Sequence, residues 1–310
     1  MPVYVVDKPL GLSSHDVVAK SRKLLNTRRV GHAGTLDPLA TGVLVVLSEK
    51  ATKLSPFLTA SEKAYLAWVS FGASTASLDA EGPILESADA SGLSVQTIEE
   101  AIPAFLEITE QLPPQYSAVK KGGVKGYEAA REGKSLELAS RPAAYHTISL
   151  LDFASTRQNL PKTFSPHGEV WRPNEVGQAF ELPETLGDFP TALFFIAVQA
   201  GTYIRAFARD LGQVLGVPAH LSGLVRTKAG KFHLEHANKL ERVATVPGQS
   251  LAASLPYPLV DLTEEEATRI RQGQRLPVRF EGRVGLVARE ELIAVAENIN
   301  GKMKLLRVWT

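Results

Sequence analysis

The segment Gly31-His32-Ala33-Gly34-Thr35-Leu36-Asp37-Pro38-Leu39-Ala40-Thr41-Gly42 gathers the residue types of this chain that could do chemistry. Its glycines and proline dictate a non-repetitive backbone, with His32, Thr35, Asp37 and Thr41 set between two apolar stretches. A carboxylate on such a loop, just ahead of an apolar strand, stands at a pocket edge where burial tunes it for nucleophilic or acid–base work. The same residues also suit a tight turn in which Asp37 caps backbone amides, a common use of Asp before Pro. Arg205 follows Gly201-Thr202-Tyr203-Ile204, where an apolar run gives way to a helix. It can pair with a surface acid there, or reach a buried carboxylate and keep it ionised. Tyr65 lies mid-strand in Lys63-Ala64-Tyr65, by default a core position. No histidine pair has the His-Glu-x-x-His spacing of a metal site, and no Gly-x-Ser-x-Gly elbow or phosphate-cradling glycine motif is present. With no cysteine, disulfide frameworks, zinc ribbons, iron–sulfur clusters and thiol nucleophiles are excluded together.

The elements that must position these groups follow from pattern. Val3 to Val6 reads as a strand ended by Asp7-Lys8-Pro9 and Gly11, and Ser13-Ser14-His15-Asp16 caps a helix that continues through Val17, Val18, Leu24 and Leu25. Gly42 to Leu47 is a buried strand, Glu49 to Leu58 a helix, and Lys63 to Phe71 alternates as a strand does. Ser94 to Phe105 is helical, with Ile98, Ile102 and Phe105 on one stripe. Gln111 to Gly133 mixes Pro-Pro, Gly-Gly and lysines, the chemistry of a protruding loop with basic tips. Arg157 to Pro190 carries five prolines, Pro161, Pro166, Pro173, Pro183 and Pro190, and is expected to be an irregular excursion between two strands. Thr191 to Val198 is a buried strand feeding the Arg205 helix. Pro247 to Pro258 reads as a linker, followed by a helix from Asp261 to Gly273 and a small β-rich module from Arg279 to Trp309.

The chain has 310 residues, 44% hydrophobic and 22% charged, which predicts a globular protein of about two domains. Lysine plus arginine (34) nearly balance aspartate plus glutamate (33), a mild argument against a nucleic-acid binder. The balance is local, however. Basic residues cluster around Lys20 to Arg29, Lys120 to Arg141 and Arg205 to Lys239, and acidic ones from Glu62 to Glu110. No apolar run is long enough to span a membrane, and MPVYVVDKPLG has no basic segment ahead of an apolar one. A cytoplasmic location is expected.

Four separated segments carry a family resemblance: Asp7-Lys8-Pro9-x-Gly11-x-Ser13-Ser14, Gly31-His32-x-Gly34-x-Leu36-Asp37-Pro38-x-Ala40-x-Gly42, Gln111-x-Pro113-Pro114-x-Tyr116-Ser117-Ala118-x-Lys120-x-x-Gly123, and Gly201-Thr202-Tyr203-Ile204-Arg205. In these, and in their order, the chain resembles the bacterial TruB-type tRNA pseudouridine synthases, which isomerise uridine 55 in the T-loop of tRNA. The resemblance spans most of residues 3 to 240. It implies an α+β fold with a mixed, mainly antiparallel central sheet and flanking helices, residues 1–246 forming the catalytic domain. An RNA-gripping insertion would occupy about 108–142, and residues 256–310 would form a C-terminal β-rich, PUA-like RNA-binding domain.

By the same resemblance, Asp37 matches the catalytic aspartate, Tyr65 the tyrosine that stacks on the target base and is implicated in removing its C5 proton, and Arg205 the arginine paired with the catalytic carboxylate. His32 and Leu224 match residues that hold the flipped nucleotide, with Lys8 and Tyr203 counted beside them from the shared motifs. Arg28, Arg29, Lys120 and Lys125 are the expected RNA contacts. The implied reaction takes place on tRNA without cofactor or metal, in a monomer that needs no protein partner. A related synthase acting on another RNA, or a non-catalytic RNA-binding protein of the same fold, is the alternative. At Leu224-Val225-Arg226, valine stands where the family usually carries a second arginine.

Overall fold

The computed structural model describes residues 2–117, 120–121, 124–126 and 136–309. Its organising element is a mixed sheet in which the strands run in the order Tyr145–Ala154, Thr191–Val198, Lys63–Phe71, Ala219–Ala229, Ala40–Ser48, Val3–Lys8 and Asn238–Lys239. Neighbours are antiparallel except Ala219–Ala229 beside Ala40–Ser48 and Val3–Lys8 beside Asn238–Lys239, which are parallel. Val30–Ala33 adds to the sheet along Ala40–Ser48. The fold is thus α+β with a mainly antiparallel centre, as the sequence leads one to expect.

Lys63–Phe71 departs from its apparent alternation, being buried on both faces along its whole length. Tyr65, Ala67, Val69 and Phe71 enter one apolar layer, and Ala64, Leu66 and Trp68 enter the opposite one. The first layer is closed by the helices Ser14–Leu24, Val95–Leu106 and Ile204–Leu215, through Val17, Ile98, Phe105, Phe207 and Leu211. The second is closed by the 3₁₀ turn Glu49–Leu54 with the short helix Ser55–Thr59, by the Arg157 to Pro190 excursion, and by part of the C-terminal module. A central strand covered on both sides must be apolar throughout, so a strict two-residue period is not required of it.

The excursion is more ordered than its prolines suggest. Thr163–His167, Val170–Pro173 and Gln178–Ala179 form a three-stranded sheet. It sets the ring of Phe164 edge-on to Trp68 at 5.6 Å, with Phe180 stacked on Phe164 at 5.8 Å. The side chain of Arg157 anchors the start of the excursion to the backbone carbonyls of Ser222 and Pro183.

The C-terminal module is a four-stranded sheet of Leu259–Asp261, Arg283–Ala288, Glu291–Ile299 and Lys302–Val308, with the helix Glu264–Arg271 on one side. Its other side contributes Val287, Leu292 and Val295 to the layer that holds Val3, Trp68 and Leu54. Trp309 Nε1 donates to the Lys50 carbonyl at 3.0 Å, and Lys53 Nζ donates to the Val308 carbonyl at 3.2 Å. The stretch read as a linker is itself packed: Gln249 pairs with Val3, and Leu251 and Leu255 are buried. The basic loop expected within Gln111 to Gly133 falls partly outside the described residues; within them, Lys120 and Lys125 are paired in a short two-stranded ladder. No helix among the described residues is long and apolar enough to cross a membrane.

Candidate active site

The Asp37 loop leaves the Val30–Ala33 strand and re-enters the sheet at Ala40, where Ala40–Ser48 begins beside Ala219–Ala229. The backbone turns at Gly34 (φ 90°) and Gly42 (φ 94°), both left-handed. At Gly42 a β-carbon would lie 2.3 Å from the Arg226 carbonyl oxygen, so only glycine lets the two strands approach this closely. On the helix side, Ser14 Oγ both accepts from the Leu36 amide (2.8 Å) and donates to the Leu36 carbonyl (3.0 Å). Ser13 and Asp16 close a capping box on that same helix end. The Gly11 amide donates to the Pro38 carbonyl at 3.0 Å. Local sequence thus fixes the loop from several directions while leaving the Asp37 side chain 38% exposed.

Arg205 reaches this carboxylate from the first turn of Ile204–Leu215. Its Nε lies 2.9 Å from Asp37 Oδ2, and its Nη1 lies 3.6 Å from the carboxylate of Asp79. The remaining donors are used as well, Nη1 on the Ser77 carbonyl (2.9 Å) and Nη2 on the Tyr116 carbonyl (2.8 Å). The guanidinium is buried, so both its position and its charge act on Asp37 with little screening by water. Asp79 is 2% exposed, and burial pushes its carboxyl above the ordinary range, against the opposing pull of Arg205 and the hydrogen bond from Ser77. It also accepts from the Glu81 amide at 3.1 Å.

Tyr65 is buried in the strand next to Ala219–Ala229, in register with Arg226, and Leu224 is in register with Ala40 on one side and Ala67 on the other. His32 precedes the loop half-buried, its ring edge-on to His15 at 5.5 Å. Burial holds the His32 imidazole below its ordinary pKa, helped by the charges of His15 and Arg226, which keeps it neutral near pH 7. Lys8 is wholly buried, with Nζ on the carbonyls of Pro9 (3.0 Å), Leu12 and Pro38 (3.4 Å), and burial lowers its pKa to about 8. Lys8 therefore props the loop beside Asp37. Tyr203 caps the Arg205 helix, and its amide donates to Gln111 Oε1 at 2.9 Å while Gln111 Nε2 donates to the Tyr203 carbonyl at 3.2 Å. That clasp fixes the helix start from which Arg205 projects.

The structure sets Arg205 and Lys8 against the Asp37 loop, with Tyr203 at the start of the Arg205 helix, His32 in the strand that leads to the loop, and Leu224 and Tyr65 on the two strands beyond. Arg28 and Arg29 are exposed just ahead of Val30, at the far end of the strand that leads to the loop. The side chains of Lys120 and Lys125 lie outside the described residues. Sequence reasoning missed Asp79, which is disguised within the acidic stretch from Glu62 to Glu110 as one of many surface acids. Its signal is the turn Asp79-Ala80-Glu81-Gly82, with an acid placed to accept from the amide two residues on. Gln111 and Arg226 were likewise given no role, although both lie in the motif-bearing segments.

A half-exposed carboxylate held 2.9 Å from a buried guanidinium is kept ionised and oriented by it. Comparison with known proteins gives this a class. The TruB family pseudouridylate synthase (N terminal domain) model matches residues 22–166. The tRNA pseudouridine synthase B of Thermus thermophilus is 49% identical over 311 residues, covering 100% of this chain and 99% of that protein. Its namesake from Deinococcus radiodurans is 45% identical, covering 100% of both. Among solved structures, a chain of a Cbf5-Nop10-Gar1 complex matches with a TM-score of 0.69 at 23% identity, covering 100% of this chain and 85% of that one. The fold and the relatives are those of a pseudouridine synthase, an isomerase. The chain belongs to the TruB family.

Proposed function

We propose that this protein converts uridine 55 in the T-loop of tRNA to pseudouridine, with Asp37 as the nucleophile. The relatives named tRNA pseudouridine synthase B support tRNA as the substrate. The observation that carries the catalytic reading is the Asp37–Arg205 pair, 2.9 Å apart, with the carboxylate half-exposed and the guanidinium buried. Arg205 keeps the carboxylate ionised and aimed.

The target base is flipped out of the T-loop, at roughly a few kcal/mol, offset by stacking on Tyr65 and contacts to His32 and Leu224. Asp37 attacks the uracil ring or ribose C1′, and the N1–C1′ bond breaks. The detached ring turns in place, C5 bonds to C1′, and the bond between Asp37 and the substrate breaks, which regenerates the carboxylate. The C5 proton is then removed, with Tyr65 the candidate to take it, and N1 ends protonated, so the reaction is an isomerisation with no net reactant. The chemistry calls for no cofactor. Residues 1–246 carry catalysis as a single chain in the cytoplasm, without an obligatory protein partner. Residues 256–310 act as a PUA-like RNA-binding module, while Arg28, Arg29, Lys120 and Lys125 meet phosphates of the T stem, which is recognised by shape.

The test is to incubate the protein with an unmodified tRNA transcript and map pseudouridine at single-nucleotide resolution. Product at the T-loop uridine is expected. Tight tRNA binding with no product there would overturn the reading.

A further inference from the structure

We infer that Arg226 is a positioning residue for catalysis, holding both ends of the nucleophile loop in one fixed relation to the Tyr65 strand. The inference rests on the reading of Asp37 as nucleophile. Arg226 is 1% exposed, among the largest fully buried side chains of the molecule. Its three guanidinium nitrogens each donate to a backbone carbonyl of the loop or of the strand it enters: Nε to Val43 at 2.7 Å, Nη1 to Thr35 at 3.2 Å and Nη2 to Gly34 at 3.0 Å. Two of those acceptors precede Asp37 in the chain and the third follows it, so one planar group fixes the segment on both sides of the nucleophile.

The backbone of Arg226 makes the same connection a second way. In the strand Ala219–Ala229 it is in register with Gly42 on one side and Tyr65 on the other. Arg226 is therefore the residue through which the nucleophile loop and the tyrosine strand are measured against each other. No carboxylate pairs with Arg226 among the described residues, and Lys63, itself buried, presents its Cε to the same Gly34 turn. A buried arginine whose donors all go to carbonyls contributes geometry more than ion-pair energy, because the guanidinium fork is rigid and its directions are fixed. Lysine could keep the charge but cannot span three acceptors in one plane.

The experiment uses the full chain with Arg226→Lys and Arg226→Met. RNA affinity is read by anisotropy of a labelled T stem-loop, chemistry by single-turnover pseudouridine formation at saturating enzyme, and loop order by amide hydrogen exchange of the peptide spanning residues 33–43. A misplacement near 1 Å costs about 100-fold in rate, so the expected result is a single-turnover loss of about that size in both variants. RNA affinity should stay within about threefold of wild type, and exchange in the loop should be faster. A single-turnover rate within threefold of wild type, or a loss confined to affinity, overturns the inference. Failure of both variants to fold at the assay temperature also overturns it, since the role is then structural alone. If the wild-type protein makes no pseudouridine, the functional reading fails, while the exchange comparison still decides whether Arg226 holds the loop.

Discussion

Arg205 and Asp79, far apart in the chain, meet in the interior with the guanidinium Nη1 3.6 Å from the carboxylate, and this buried contact stands directly behind the exposed Asp37. A single cation thus serves two acids of different accessibility. One is open to solvent; the other is sealed and serves as ballast for the arginine. Removing the charge of Asp79 while keeping its shape should expose that division of labour. Asp79→Asn is expected to lower stability by about 3 kcal/mol or less, because Arg205 keeps Asp37 as a partner where an ion left wholly unpaired would cost more. It should slow single-turnover chemistry roughly 10- to 100-fold through a less well aimed Arg205. Urea denaturation and single-turnover assays check both, and unchanged chemistry would remove Asp79 from the positioning of Arg205.

Asp37→Asn should cut turnover by roughly three orders of magnitude or more, the scale reached when a covalent nucleophile is lost. RNA affinity should change little, since Asp37 faces the base and carries a charge that RNA does not favour. Activity mapping beside a gel-shift titration reads the two effects separately. Residual activity near wild type would take Asp37 out of the nucleophile role.

Lys8 and Lys63 predict how stability depends on pH. Burial lowers each amine from 10.5 to about 8. Between those values the unfolded chain holds protons that the folded chain has released, so stability rises as pH climbs from 8 toward 10.5. Tyr145 works in the opposite direction at higher pH, because burial raises its phenol and the folded state then holds the extra proton. Urea midpoints measured at pH 7.5, 9 and 10 should increase in that order, and Lys63→Met should flatten the rise. A midpoint that falls across this window would contradict the assignment.

Phe164→Ala tests the excursion. Phe164 is 1% exposed against Trp68, and deleting a buried aromatic ring costs roughly 3–5 kcal/mol. The loss should appear in the unfolding free energy and leave RNA affinity within about twofold of wild type. A change in RNA affinity without a change in stability would instead place the excursion on the substrate side.

How far the site was legible from sequence depended on what kind of constraint each residue obeys. The Asp37 loop was readable because glycine, proline and polar side chains in a short span can satisfy only a special backbone, and Gly34 and Gly42 do adopt positive φ. Asp79 was not, because a carboxylate's burial is decided by tertiary neighbours such as Arg205, and nothing local separates it from the solvated acids around it. Arg226 lay in plain view in Leu224-Val225-Arg226, but its partners are backbone carbonyls, which leave no trace in residue type. The excursion was misread as irregular because strands as short as Val170–Pro173 and Gln178–Ala179 have no room to show a period, and the prolines that mark turns elsewhere here sit within strands, Pro173 at an edge and Pro166 in the central strand beyond the residues that pair with Gln178–Ala179. The doubly buried strand Lys63–Phe71 was correctly placed, although its apparent alternation was incidental.

The latch between Trp309 and Lys50, together with the pairing of Val3 with Gln249, has a consequence for biosynthesis. Val3–Lys8 meets one neighbour, Ala40–Ser48, early in synthesis, but Asn238–Lys239 and Gln249 come far later, and the layer holding Val3 also contains Trp309. While it waits, the nascent polypeptide carries apolar strands with open edges, the state most prone to mispairing. A chain in which Trp309 has parted from Lys50 therefore keeps every residue of the Asp37 site while the apolar layer beneath is opened.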